Sequence, residues 1–230
     1  MTEAIDLAAR QADLQSAREE LVECGVRLLR KGLLTQTSGN LSIRLSPDAI
    51  AITPTSIEYD RMKPEDIVVC DLDGTVLQGT RAPSSETPLH AAVYRLRDDI
   101  SAIVHTHSQQ ATALAILGLP IPAVHYIIAS LHTTTVPVAP YATYGTPELA
   151  ASVRDTFQAP GLAVLIANHG MVAGGRTLKQ AADGAETTEI LAGYYYRGLT
   201  VGQPNVLTDS QMGEVMAKYR RKPAEANAAY

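Results

Sequence analysis

Cysteine, net positive charge, internal repeats and long unbroken apolar runs are all scarce or missing in this chain of 230 residues. Two scattered thiols, Cys24 and Cys70, exclude a disulfide scaffold. With 19 basic against 24 acidic residues the net charge is −5, so no nucleic-acid partner is expected. The opening MTEAIDLAARQADLQ has neither a basic n-region nor an apolar h-region, which predicts no signal peptide and a cytoplasmic setting. Pro120, Pro122, Pro137 and Pro140 interrupt the apolar stretches before any reaches the roughly 18 residues of a membrane span, so no membrane partner is expected either. Disorder is excluded by a hydrophobic share of 46%, enough for a sizeable core.

What is present is unevenly placed. The 48 residues between Asp99 and Glu148 hold no Asp, Glu, Lys or Arg, yet four of the six histidines fall there: His105, His107, His125 and His132. A charged share of 19% is below the usual quarter, which points to surface buried between subunits.

Periodicity predicts a single α/β domain over residues 1–230. Leu14, Ala17, Leu21, Val22, Leu28 and Leu29 recur at helical spacing up to Gly32. Short strands are expected at 40–44, 49–53 and 67–69, separated by polar loops. Pro88 opens a helix with Leu89, Ala92, Val93 and Leu96 on one face. A strand at 101–107, a helix at 110–117, a strand at 136–139, a helix from Thr146-Pro147 towards Gln158 and a buried strand at 162–167 follow. Thr177 caps a long helix ending near Gly198, and a last helix begins near Asp209.

Three groups of residues carry chemistry. His105 and His107 are two apart at a strand end and so project to one side, where two imidazoles can share a divalent ion. His169, at another strand end and followed by a glycine that lets the chain turn away, is a candidate third ligand. The competing reading is three ordinary buried histidines. Next, the loops Thr37-Ser38-Gly39-Asn40, Thr53-Pro54-Thr55-Ser56 and Pro83-Ser84-Ser85 offer hydroxyls and turn N–H groups that together could cradle a phosphate without lysine. Taken singly, each is a turn or cap. Finally, Glu86 reads two ways: a base that removes a proton beside a metal-held carbonyl, or a helix-start acid favoured by the macrodipole. A rival motif, Asp71-Leu72-Asp73-Gly74-Thr75, resembles the D-x-D-G-T of haloacid dehalogenase-type phosphatases. Asp-Gly between apolar runs is also a hairpin turn, and the uncharged stretch supplies neither the later lysine nor the further acidic motif that such a site needs.

In order along the chain, T-S-G-N-L-S, I-T-P-T-S-I-E-Y, S-S-E, V-H-T-H, I-P-A-V-H-Y, A-P-Y-A-T-Y-G-T and N-H-G resemble the class II aldolase/adducin superfamily, in particular its L-fuculose-1-phosphate aldolases. The resemblance implies a central, mainly antiparallel sheet flanked by helices, in a homotetramer with active sites between subunits. It implies one zinc ion per subunit on His105, His107 and His169, and Glu86 as acid/base, able to sit on the metal when substrate is absent. Asn40, Thr55, Ser56, Ser84 and Ser85 would hold the substrate phosphate, and Tyr126 of a neighbouring subunit would approach the aldehyde end. The implied activity is reversible cleavage of a ketose 1-phosphate to dihydroxyacetone phosphate and a short aldehyde. The ketose would be L-fuculose 1-phosphate or a related deoxy- or methylthio-ribulose 1-phosphate. Alternatives within the superfamily are a sugar-phosphate 4-epimerase, whose T-H-A-D segment is absent here, and a decarboxylase. A non-catalytic adducin-like protein would have lost the histidines. Two departures stand out: Leu131-His132 replaces a glycine pair, and Ser56 replaces the glycine of T-P-T-G. A family tyrosine near the C-terminus has no secure counterpart, with Lys222 about where it is expected and Tyr219 upstream.

Overall fold

The computed structural model describes residues 11–158 and 160–226. Eight strands form one sheet: β1 (Asn40–Ser46), β2 (Ala49–Ile52), β3 (Val68–Asp71), β4 (Val76–Gln78), β5 (Ala102–Thr106), β8 (Val138–Ala139), β9 (Ala163–Ile166) and β10 (Gly170–Gly175). Their order is β4-β3-β2-β1-β5-β10-β9-β8, and every pairing is antiparallel except β8 with β9. A small ribbon joins β6 (Ile121–Pro122) to β7 (Thr135–Val136). The expected mainly antiparallel sheet flanked by helices is what the chain forms.

Alternation along the strands builds a core on each face. Leu41, Ala51, Val104, Leu165, Met171 and Ala173 point to one side and pack with Leu21 and Leu28 of α1 (Gln11–Arg30), Leu114 of α3 (Gln109–Ile116) and Ala185 and Leu191 of α5 (Leu178–Val201). Ile50, Ile52, Ile103, Val164, Ile166 and Val172 point to the other. They meet Leu89, Val93 and Tyr94 of α2 (Thr87–Leu96) and Leu149, Val153 and Phe157 from α4 (Pro147–Thr156) and its C-cap. Asn40, Ser42 and His105 share the parity of this second face, so their polar side chains are directed towards the start of α2.

Several boundaries differ from the periodic reading. The expected strand at 136–139 is split at Pro137: Val136 pairs with Ile121, whereas Val138 pairs with Leu165. The long helix continues through Gly198 to Val201 and ends at Gly202. β10 was not expected, because three of its six residues are glycines. Those glycines are used for close approach: a Cβ on Gly170 would lie 2.4 Å from the Thr106 carbonyl oxygen, and one on Gly174 2.6 Å from Ile100. The turn before β10 is made by Asn168, at φ 54°, rather than by Gly170. Asp71 and Asp73 lie in the β3–β4 hairpin, where Asp71 Oδ1 accepts from the backbone N–H groups of Asp73 and Thr75 at 2.9 and 2.8 Å. Both non-glycine departures carry left-handed backbone, Ser56 at φ 61° and His132 at φ 55°.

Candidate active site

Three loops converge above the α2 end of the sheet. An isolated bridge between Pro54 and Pro83 laces two of them, reinforced by Thr55 N–H to the Ala82 carbonyl (3.1 Å) and Ser84 N–H to the Thr53 carbonyl (3.2 Å). The third approaches through Gly39, where a Cβ would sit 2.6 Å from the His105 carbonyl oxygen at φ +80°, so only glycine lets this loop lie against β5. Together they border a cleft of about 450 Å³. Its lining includes Asn40, Thr55, Ser56, Ser84, Ser85 and Glu86, with His107 and His169, and among the described residues it contains no lysine or arginine. The groups this lining offers to an anion are therefore hydroxyls, N–H groups and the α2 N-terminus.

His105, His107 and His169 stand edge to face around one point, with ring centroids 4.8–4.9 Å apart and interplanar angles of 71–85°. The ligand atoms of these three and of Glu86 all lie within 4.8 Å of one another. His105 Nδ1 lies 2.9 Å from the Met171 carbonyl, an acceptor only, so Nδ1 carries the proton and Nε2 faces the centre. There Nε2 is 3.0 Å from both His107 Nε2 and Glu86 Oε2. Glu86 Oε1 is 3.3 Å from His169 Nε2 and is a buried oxygen without a hydrogen-bond partner.

The electrostatics of this set call for a cation. Burial raises the Glu86 carboxyl, but the charge and hydrogen bond of His105 outweigh it and hold Glu86 far below the carboxylate range. Burial lowers His105, yet the adjacent carboxylate lifts it overall. Burial, followed by repulsion from His105, pushes His107 down to about 3 and His169 to about 4, leaving both as neutral donors. Three converging imidazole nitrogens and a carboxylate with an orphaned oxygen fit a divalent ion. Glu86 occupies the N-cap position of α2 but makes no side-chain capping hydrogen bond. Its carboxylate is turned to the histidines instead. Asp71 and Asp73 belong to no such group among the described residues.

The expected site residues are not all in one place. Asn40 is 5% exposed and donates its amide to Glu86 Oε2 at 3.0 Å, with its second N–H left over. Tyr126 does not line the cleft: it is 53% exposed, at the start of a 3-10 helix (Tyr126–Leu131), beside the ring of His125. Tyr219 is partly buried against the larger core in α6 (Asp209–Ala226), and the side chain of Lys222 lies outside the described residues. Tyr141 and Tyr144, which the sequence offers only within the A-P-Y-A-T-Y-G-T motif and without a role, line the cleft with 61% and 69% exposure. Exposed tyrosines in a coil segment carry no periodic signal, so their place at the cleft is read from the chain path.

Residues 19–196 match the class II aldolase and adducin N-terminal domain. A 5-deoxy-D-ribulose 1-phosphate aldolase of Bacillus thuringiensis serovar kurstaki is 42% identical over 207 residues, 90% of this chain and 96% of that one. An L-fuculose phosphate aldolase of Escherichia coli is 37% identical over 202 residues, 87% of this chain and 93% of its own. Among solved structures, an L-fuculose 1-phosphate aldolase superposes with a TM-score of 0.85 at 41% identity, covering 89% of this chain and 96% of the other. With the sheet, the three-histidine centre and these relatives in agreement, the chain belongs to the class II aldolase and adducin family.

Proposed function

We propose that this enzyme is a zinc-dependent aldolase that cleaves a ketose 1-phosphate reversibly to dihydroxyacetone phosphate and a short aldehyde. The observation that carries this is the placement of a buried carboxylate among three histidines, at the floor of a cleft whose walls are hydroxyl-bearing loops. His105, His107 and His169 would hold the zinc, with Glu86 able to complete the set. A zinc ion there supplies Lewis-acid polarisation to adjacent carbonyl and hydroxyl oxygens.

The chain's own residues do the rest. Thr55, Ser56, Ser84, Ser85 and the spare N–H of Asn40 bind the phosphate and so fix the substrate's first carbon relative to Glu86. In the condensation direction Glu86 takes a proton from the hydroxymethyl carbon of dihydroxyacetone phosphate. That carbon then bonds to the aldehyde carbon, and the Tyr126 hydroxyl of a neighbouring subunit donates to the aldehyde oxygen. Cleavage is the reverse, with Glu86 returning the proton to carbon. Because Tyr126 is exposed and outside its own cleft, this assignment goes with a homotetramer whose sites lie between subunits; exposed Tyr194 and Ile190 of α5 support such burial. The whole chain, 1–230, acts as one domain, and free, buried Cys24 and Cys70 accord with a cytoplasmic setting.

The named relatives suggest L-fuculose 1-phosphate or 5-deoxyribulose 1-phosphate as substrate, and a 5-methylthioribulose-1-phosphate/5-deoxyribulose-1-phosphate aldolase of Rhodospirillum rubrum, 38% identical over 203 residues, adds the methylthio-ribulose phosphate. The test is condensation of dihydroxyacetone phosphate with L-lactaldehyde, acetaldehyde, glycolaldehyde and a methylthio aldehyde by the zinc-loaded enzyme. Carbon–carbon bond formation with one or more of them is expected. No condensation with any, alongside epimerisation or decarboxylation of a sugar phosphate, would replace the aldolase reading.

A further inference from the structure

A buried ladder joins β1 to α2 and runs from Glu86 and Asn40 into Ser42, His90 and Tyr94, three residues that the chemistry proposed above does not use. Glu86, His90 and Tyr94 recur every four residues and share one helix face, while Asn40 and Ser42 share one strand face. Asn40 Nδ2 is 3.0 Å from Glu86 Oε2, and Asn40 Oδ1 is 2.6 Å from His90 Nε2. His90 Nδ1 is 2.6 Å from Ser42 Oγ, which is 2.8 Å from the Tyr94 hydroxyl. Ser42, His90 and Tyr94 are fully buried.

The carboxylate dictates the direction of each link from Glu86 to Ser42. An ionised carboxylate only accepts, so Asn40 must present Nδ2–H to Glu86. Its Oδ1 is then turned to His90, which must present Nε2–H. His90 Nδ1 is left bare and accepts from Ser42 Oγ–H, while the Tyr94 hydroxyl lies 2.8 Å from that oxygen and also donates to the Ser42 carbonyl at 3.2 Å. Reversing any link between Glu86 and Ser42 sets two acceptors face to face where water cannot intervene. Burial, with added repulsion from His105, pushes His90 down to about 3 against the pull of Glu86, so its ring is neutral.

We propose that His90 is a positioning residue for Glu86. Its Nε2–H pins Asn40 Oδ1, and the pinned amide keeps one N–H on Glu86 Oε2, fixing the carboxylate for proton transfer. This rests on Glu86 being the base. Without the His90 donor, Oδ1 becomes a buried acceptor with no partner, and the amide is free to turn its N–H away from Glu86.

The test combines a spectroscopic and a kinetic arm on the zinc-loaded enzyme. In ¹⁵N-histidine spectra of the wild type, His90 should show the neutral Nε2–H tautomer, and the Asn40 side-chain amide proton should be shifted downfield by the carboxylate. His90→Asn places no donor at the Nε2 position, whereas the longer His90→Gln does. His90→Asn should abolish the Asn40 shift and lower kcat about 10- to 100-fold at unchanged zinc content, and His90→Gln should restore much of both. In an Asn40→Ala background, His90→Asn should change kcat by less than about twofold, because the path to Glu86 is already cut. An Nδ1–H tautomer, an Asn40 signal indifferent to His90, or equal losses of kcat in both backgrounds would each overturn the proposal. Should the wild type fail to turn over any ketose phosphate, the aldolase reading falls, while the tautomer and the Asn40 signal still decide whether His90 holds the amide.

Discussion

Gly170→Ala tests whether close packing of glycine against β5 builds the metal centre. The added Cβ would lie 2.4 Å from the Thr106 carbonyl oxygen and 2.9 Å from Cδ2 of His107. An ordinary C···O approach is about 3.3 Å, so β10 and β5 must separate by roughly 0.9 Å at this point. The separation strikes where Met171 pairs with Thr106 and Val172 with His105, and Gly170 directly follows His169. All three histidines are therefore displaced at once. Overpacking of this kind costs about 1–3 kcal/mol. For a chain of this size that lowers Tm by roughly 2–12 °C. Loss of the His105–Met171 support should also weaken metal binding about 10- to 100-fold. Thermal unfolding of the stripped and zinc-loaded protein, with zinc competition against a chelator, reads both effects. Gly213→Ala is the control, since a Cβ there meets open space in a helix and should stabilise slightly. If Gly170→Ala melts at the wild-type temperature and binds zinc as tightly, the view that this glycine sets the centre is wrong.

Glu86→Gln keeps size and hydrogen bonding but cannot take a proton, so zinc should remain while turnover falls about 10²- to 10⁴-fold; full turnover would remove Glu86 from the base role. His107→Ala deletes a ligand, and zinc content and activity should fall together, which metal analysis under chelator challenge and a rate assay would show. Asp71→Asn should leave kcat nearly untouched, because Asp71 serves the β3–β4 turn; a loss of several orders of magnitude with the fold intact would revive the phosphatase reading. His132→Gly should raise Tm slightly, since a left-handed residue with a Cβ costs about 1–2 kcal/mol and glycine returns part of that in chain entropy; a fall in Tm would mean that the imidazole makes compensating contacts.

The helices were readable because one apolar stripe each is buried, as with Leu21 and Leu28 in α1 or Leu89 and Val93 in α2. β10 was hidden because its residues were selected for close approach rather than for strand propensity. Gly198 did not end α5: the helix stays hydrogen-bonded past it, with Pro204 lying alongside. At the site, His105, His107 and His169 could be picked out because strand ends gather side chains from distant parts of a chain. His90 could not, since a histidine on the buried face of a helix reads as core until its partners Asn40 and Ser42 are seen. Whether the Glu86 carboxylate caps α2 was not legible either; the structure turns it away from the helix N–H groups and towards the histidines.

The central claim is most directly tested by following release of dihydroxyacetone phosphate from 5-deoxyribulose 1-phosphate and L-fuculose 1-phosphate, with the protein first stripped by chelator and then reloaded with zinc. The account predicts no release from the stripped protein, release from at least one substrate after zinc is restored, and one zinc ion bound per subunit. Release at the same rate without metal, or none from either substrate with zinc fully bound, would contradict it.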